Sequence, residues 1–357
     1  MSHRAVSCPS RGKAPRGVTY GRSDVSEVPG VSGGPERRLA AADEAATEVF
    51  TAHRELLFSV VYNMLGSVAD TEDVLQETWL AWHRRAARPD GEDVGNPRAY
   101  LVRVAVNQGL ARQAAISRRR ETYVGPWLPE PLLTGGPGLR EDGAGPAQAA
   151  DAAEPALRAE SVSMALLVVL ETLTPLERAV FVLFEVFGYS HTEIAGILDR
   201  TPAAVRQLAH RAREHVRARR PRYRADPRVR RQVTERFVAA ALGGDLAGLM
   251  SLLAPDVTLW TDGGGKARSA PRPVRGRDKV ARTLSGYAAK RLPGTLDIQY
   301  RQVNGDPSAV VFSGDSPYAV MVIDLDPDAD TVTDVYVVTN PDKLSGMRPE
   351  SEAGERR

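Results

Sequence analysis

Leu170 to Arg220 reads LETLTPLERAVFVLFEVFGYSHTEIAGILDRTPAAVRQLAHRAREHVRARR, and two Thr-Pro steps punctuate it. Proline at a first helical position gives up only an N–H that has no partner there, and the threonine before it can cap. Helices are therefore expected from Pro175 and from Pro202, and Gly188 stops the first. Phe181, Val182 and Phe184 to Phe187 supply core. HTEIAGILD is a short helix with Ile194, Ala195 and Leu198 inward. Asp199–Arg200–Thr201 leaves room only for a tight turn, and Val205, Leu208 and Ala212 face inward on the last helix. Two short helices joined in this way form a helix-turn-helix.

Charge is distributed to match. The whole chain carries only +2, yet Arg200 to Arg224 holds nine Arg against one Glu. A helix entering the major groove presents polar residues from its first turns. Here these are Ala203, Arg206, Gln207 and His210, with Arg211 and Arg213 near the rim. Arg can read guanine and Gln adenine, while Arg217, Arg219, Arg220, Arg222 and Arg224 suit phosphates. By contrast, Arg301 to Asp342 holds eight Asp and one basic residue. One end of the protein is built for a polyanion and the other is not.

The remaining blocks follow from punctuation and period. Residues 1–40 are rich in Gly, Ser, Pro and Arg without an apolar run, and read as a disordered extension rather than a signal peptide. Residues 41–120 are helical: Phe50, Leu57, Val61 and Met64 recur at helical spacing, and Gly66 ends that helix. Asp70 with Asp73 is expected to open the next, with Val74, Thr78 and Trp82 on one side. Asn96 caps a third, at Pro97. Residues 121–160 hold six Gly and six Pro, the composition of a tether. Its first part, YVGPWLPEPLL, is different. Prolines at 126, 129 and 131 hold it extended, and Trp127, Leu128 and Leu132 offer apolar area, so it reads as a docking peptide, with a loose tether from about Thr134. Residues 161–223 contain the helix-turn-helix. Residues 224–344 begin with helices, at Val233–Ala241 and after Asp245. Strands follow at Asp256–Asp262, Thr295–Val303, Ser308–Phe312, Tyr318–Leu325 and Thr331–Val338, expected as an antiparallel curved sheet. Residues 345–357 are a polar tail. Cys8 is the only cysteine, so neither an internal disulfide nor a Cys-based metal site is available, which suits the cytoplasm. No apolar run is long enough to span a membrane.

On ADTEDVLQETWLAW, Glu72 with Gln76 and Asp73 with Glu77 sit four apart, an acidic face that spacing alone cannot separate from an ordinary surface stripe. Together with the 170–220 block, this stretch resembles the extracytoplasmic-function class of bacterial RNA polymerase sigma factors, over residues 43 to 223. The resemblance implies two all-α domains, region 2 and region 4. It implies that Asp70, Glu72, Asp73, Gln76 and Glu77 contact core RNA polymerase and that the helix Pro202–Arg219 reads the −35 promoter element. The −10 element then falls to Asn107, Arg112, Arg118, Arg119 and Arg120. The family's usual Asp four residues after Asn107 is Ala111 here.

The last block resembles the SnoaL-like cone fold, an α+β domain carried by a subgroup of these sigma factors. Three landmarks of that subgroup stand in order: Trp127, Leu128, Pro129, Glu130 and Pro131; Asp262, Gly263, Gly264 and Gly265, followed by Lys266; and Asn340, Pro341, Asp342, Lys343 and Leu344. They imply regulation through contacts between domains, with the WLPEP peptide docked near the DGGGK loop. No catalytic residue, metal or cofactor is expected. All six His lie at or before His215, and Asp262 alone is a weak case for acid–base chemistry. A small-molecule ligand in the cone is an open expectation. Two other readings remain: a DNA-binding regulator that needs no polymerase, and a bifunctional protein whose last domain binds or converts a small molecule.

Overall fold

The computed structural model describes residues 35–87, 94–134, 162–218, 226–289, 295–326 and 330–349. The first part holds α1 (Pro35–Leu65), α2 (Val68–Ala86) and α3 (Pro97–Glu121). α1 starts inside the stretch expected as a disordered extension, whose residues 1–34 lie outside the described ones. Gly66 follows α1 at φ 67°, a conformation that residues with a Cβ resist. The expected capping of α2 by Asp70 and Asp73 is corrected: Ser67 is the cap and accepts from Asp70 N. Asp70 lies within the first turn, where it turns inward. Asn96 accepts from Ala99 N ahead of Pro97, as its sequence suggests. Phe50, Leu57, Val61, Met64, Val74, Thr78 and Trp82 are all buried.

α4 (Met164–Leu170), α5 (Pro175–Phe181), α6 (His191–Leu198) and α7 (Pro202–Arg217) follow. Thr174 with Glu177 and Ser190 with Glu193 close full capping boxes. Asp199 takes the left-handed conformation between α6 and α7, and Thr201 caps α7. Ile194, Ala195, Leu198, Val205, Leu208 and Ala212 are buried. After Phe181 the helix widens into a π turn, Val182–Val186. The extra residue in that turn rotates Phe184, Val186 and Phe187 to the edge, where they are only partly buried. The two helical parts also share one continuous apolar core, which runs from Phe50 through Leu101 to Ala212.

The last part is α8 (Pro227–Gly243), α9 (Leu246–Leu252), β1 (Leu253–Asp262), β2 (Val274–Arg275), α10 (Arg277–Ala288), β3 (Leu296–Val303), β4 (Asp306–Ser313), β5 (Ser316–Leu325), β6 (Val332–Val338) and α11 (Pro341–Leu344). Sheet order is β2-β1-β6-β5-β4-β3. The expected antiparallel sheet is corrected, because β1 runs parallel to β6, with Trp260 opposite Tyr336. The long connection that a parallel pair needs runs from β1 through β2, α10, β3, β4 and β5 to β6. One sheet face (Val257, Leu259, Ala309, Met321, Ile323, Val335) packs on Phe237, Val238, Val280 and Leu284 of the helices. The other face (Val310, Phe312, Val320, Val322, Tyr336, Val338) is covered by Leu128 of the linker, Met164 and Ala165 of α4, and Leu344 and Met347. Met347 therefore belongs to the core rather than to a loose tail. Full burial of Leu128 and Met164 contributes roughly 1.5–3 kcal/mol each.

Candidate interdomain and nucleic-acid interfaces

Asp262 ends β1, and its carboxylate is fully buried. It accepts from Leu128 N (2.8 Å), Tyr123 Oη (2.5 Å), Gly264 N (3.1 Å) and Lys343 Nζ (2.7 Å). Lys343 Nζ also donates to Leu128 O (2.5 Å) and lies 4.0 Å from the centre of the Trp127 ring. Asn340 caps α11 and donates from Nδ2 to Tyr123 Oη (2.8 Å). Gly264 and Gly265 have φ of 59° and 71°. A Cβ on Gly264 would strike the Asn340 side chain, and one on Gly265 would come within 3.2 Å of Val124. Lys266 pairs with Asp342 at the surface (2.6 Å). All three landmarks therefore meet at one buried ion pair. With each lone-pair direction of Asp262 taken by a donor, the carboxylate is a structural anchor rather than a free base.

A second cluster ties the linker to the first helical part. Glu130 N donates to Gly66 O (2.9 Å), and its carboxylate accepts from Val68 N (2.8 Å), the first residue of α2. Burial pushes the Glu130 carboxyl up, partly offset by that N–H. Tyr62 Oη donates to Glu130 O (2.6 Å) and accepts from Asn304 Nδ2 (2.8 Å), which joins α1, linker and sheet. Arg178 of α5, almost fully buried, donates to Asn63 O (3.0 Å) and pairs with Glu171. The docking peptide stays engaged to its last residue, Leu133, and to Thr134 beside it. Leu133 pairs antiparallel with Val303 on edge strand β3, and Thr134 N donates to Gln302 O (2.9 Å). The tether beyond Thr134 lies outside the described residues until 162.

Tyr62, Arg178 and Asn304 belong to this site and were not expected from the sequence; Tyr123 opens the expected docking peptide, but its bond to Asp262 was not foreseen. Asn304–Gly305 is legible only as a hairpin turn, and both residues do take positive φ.

The residues expected at DNA and polymerase divide into open and engaged groups. Ala203, Arg206, Gln207 and His210 line the exposed face of α7. Arg211 instead donates to Glu177 (2.9 Å), and Arg213 pairs with Glu185 while stacking on Phe184. Gln76 and Glu77 are exposed on α2 beside exposed Leu80. Glu72 pairs with Arg54 (2.7 Å). Asp70 is buried and takes Arg112 (2.9 Å) and Arg119 (2.6 Å), and Arg112 also pairs with Asp73. Burial alone would raise the Asp70 carboxyl, but the two arginines outweigh it and hold it low. Asp70 is therefore an engaged internal anchor, tied to α3 by both arginines. Arg118 is exposed, and the Arg120 side chain lies outside the described residues, as do Arg219, Arg220, Arg222 and Arg224. Asn107 Nδ2 donates to Arg103 O (2.8 Å) and to Ile197 O (3.1 Å) at the end of α6, so the helix expected at −10 abuts the helix-turn-helix. Among the described residues no three His, Cys, Asp or Glu converge as metal ligands, and no helix is long and apolar enough to cross a membrane.

One chain thus carries a helix-turn-helix with an open face on α7 and a second helix, α2, with Gln76 and Glu77 exposed. Residues 49–121 match the family model for Sigma-70 region 2, residues 163–216 that for Sigma-70, region 4, and residues 234–342 that for the SnoaL-like domain. The ECF RNA polymerase sigma factor SigJ of Mycobacterium tuberculosis is 39% identical over 306 residues, 83% of this chain and 92% of that one. The probable ECF RNA polymerase sigma factor SigI of the same organism is 30% identical over 311 residues, 87% of this chain and 99% of that one. The crystal structure of SigJ matches with a TM-score of 0.64 at 35% identity, over 84% of this chain and 98% of that one. The chain belongs to the extracytoplasmic-function (ECF) family of RNA polymerase sigma factors, with a SnoaL-like domain fused at its C-terminal side.

Proposed function

We propose that this sigma factor is controlled by its own C-terminal domain, which holds the two sigma domains in a closed arrangement. The observation that carries this reading is the buried Asp262–Lys343 pair. It grips the linker at Leu128, and that linker in turn grips α1 and α2 through Glu130. The closed arrangement does not suit a promoter. Elements centred near −35 and −10 are about 85 Å apart along B-DNA at 3.4 Å per base pair, whereas Asn107 touches Ile197 of the helix-turn-helix. Opening must precede simultaneous reading of both elements.

In this reading Gln76, Glu77 and neighbouring α2 residues meet core polymerase, and Arg206, Gln207 and His210 meet the −35 bases. Asn107 and the arginines near it act at −10 once freed. The protein works in the cytoplasm, catalyses nothing itself and needs no cofactor. A small molecule in the cone would shift the balance only by binding the two states with different affinity.

The test is run-off transcription with purified core enzyme. Asp262→Asn and Trp127→Ala should raise promoter-specific transcript above the parent's. Equal transcript from all three would remove the regulatory role, and no specific transcript from any would remove promoter-directed initiation. Truncation at residue 225 is a poorer probe, because it strips the cover from Leu128, Met164 and Ala165.

A further inference from the structure

The C-terminal domain is electrically two-sided. Its strands from Arg301 onward carry the acidic residues, whereas Lys266 to Arg282 reads KARSAPRPVRGRDKVAR, seven basic residues against Asp278 alone. The structure places this run on the β1–β2 loop, the edge strand β2 and the outer side of α10. Arg268, Arg272, Arg275, Lys279 and Arg282 are all exposed. None of these five is in an ion pair among the described residues, although exposed pairs form elsewhere, at Arg231–Glu235 and Lys266–Asp342. α10 packs beside α8, whose own outer side adds exposed Arg228 and Arg236. A surface that gathers like charges without neutralising them suits an external polyanion.

We infer that this basic face binds the sugar–phosphate backbone of duplex DNA flanking the site read by α7. Chain connectivity supports duplex DNA over other polyanions. α7 ends at Arg217 and α8 starts at Pro227, so the intervening residues reach about 30–36 Å at full extension. That is about one turn of B-DNA. With α7 in the major groove, the C-terminal domain cannot leave the neighbourhood of the duplex. Binding to phosphate carries no base specificity; it adds affinity and fixes orientation. It also gives the C-terminal domain a second role, distinct from holding the linker: once released, it becomes a DNA clamp. This inference rests on the DNA-binding assignment of α7, and the experiment separates the two.

The experiment measures the affinity of the full-length protein, with core polymerase, for promoter duplexes across a salt series. Duplexes either end near the −35 element or extend beyond it by roughly one helical turn. A combined Arg272→Ala, Arg275→Ala, Lys279→Ala and Arg282→Ala variant should bind the extended duplex more weakly. Its log–log salt slope should be shallower by about 0.9 for each phosphate that the face no longer neutralises. It should bind the short duplex as the parent does. Lysine at all four positions should restore the slope, since phosphate requires charge rather than a fork. Arg206→Ala, by contrast, should weaken both duplexes, which tests α7 independently. Unchanged affinity and slope for the alanine variant on the extended duplex would overturn the inference. So would an unchanged DNA slope combined with weaker binding to single-stranded RNA or to anionic phospholipid vesicles, which would assign the face to that partner instead.

Discussion

Asp262 illustrates how much one buried charge can decide. It is surrounded by four donors from three segments of the chain, and among the described residues Lys343 is the cation paired with it. Breaking one side of a buried pair costs about 3–5 kcal/mol, because the partner is left charged and dry. Asp262→Ala and Lys343→Met should therefore each destabilise the docked state by that order, while the double variant should cost less than the sum. Chemical denaturation of the three proteins checks this. Asp334 gives the pH counterpart. Burial first, then the nearby Asp324 and Asp256, push its carboxyl up to about 6, against the hydrogen bond it accepts from Trp260 (3.2 Å). A carboxyl raised in the folded state is penalised when ionised. Stability falls as pH rises from about 4 to 6 and stays lowered above that, by on the order of 2–3 kcal/mol. Asp334→Asn should raise Tm at pH 7.5 and lose its advantage near pH 4, as thermal scans at the two pH values would show.

At the scale of elements, the linker peptide does the work of three: cap, strand and plug. Glu130 supplies an acceptor to the start of α2 that Ser67 alone does not provide. Glu130→Ala should cost about 0.5–2 kcal/mol, measurable as a shift in denaturation midpoint with unchanged slope. Here too lies the boundary of what could be read in advance. The helix-turn-helix was legible because its signals are local: Thr174, Pro175, Thr201 and Pro202 act within four residues of themselves, while the Ser190 cap emerged only with the structure. The linker's extended form was legible from its prolines, and its destination from a resemblance. The π turn at Val182–Val186 was not legible, since it shifts register without changing composition. Nor was the parallel pairing of β1 with β6, because alternation marks a strand but not its neighbour. α10 was hidden behind Gly276 and three arginines. Asp70 looked like a surface acid of α2, and only the fold shows two arginines of α3 reaching it.

The whole molecule places these interactions in series. The sheet's outer face needs Leu128 and Met164 for cover, the linker needs Asp262, and α2 needs the linker. A charge removed at one point is therefore felt where Asn107 meets Ile197. The state seen is compact, whereas the proposed mechanism places transcription in an extended one. The most direct measurement of this claim is the distance between the two sigma domains. Fluorescent labels at exposed Glu55→Cys on α1 and Glu214→Cys on α7, in a Cys8→Ser background, would report it by single-molecule energy transfer. The predicted result is one short-distance population in the free parent, a second and longer population in Asp262→Ala, and only the longer one in a transcribing complex with core enzyme and promoter. A transcribing complex that keeps the short distance would contradict the account.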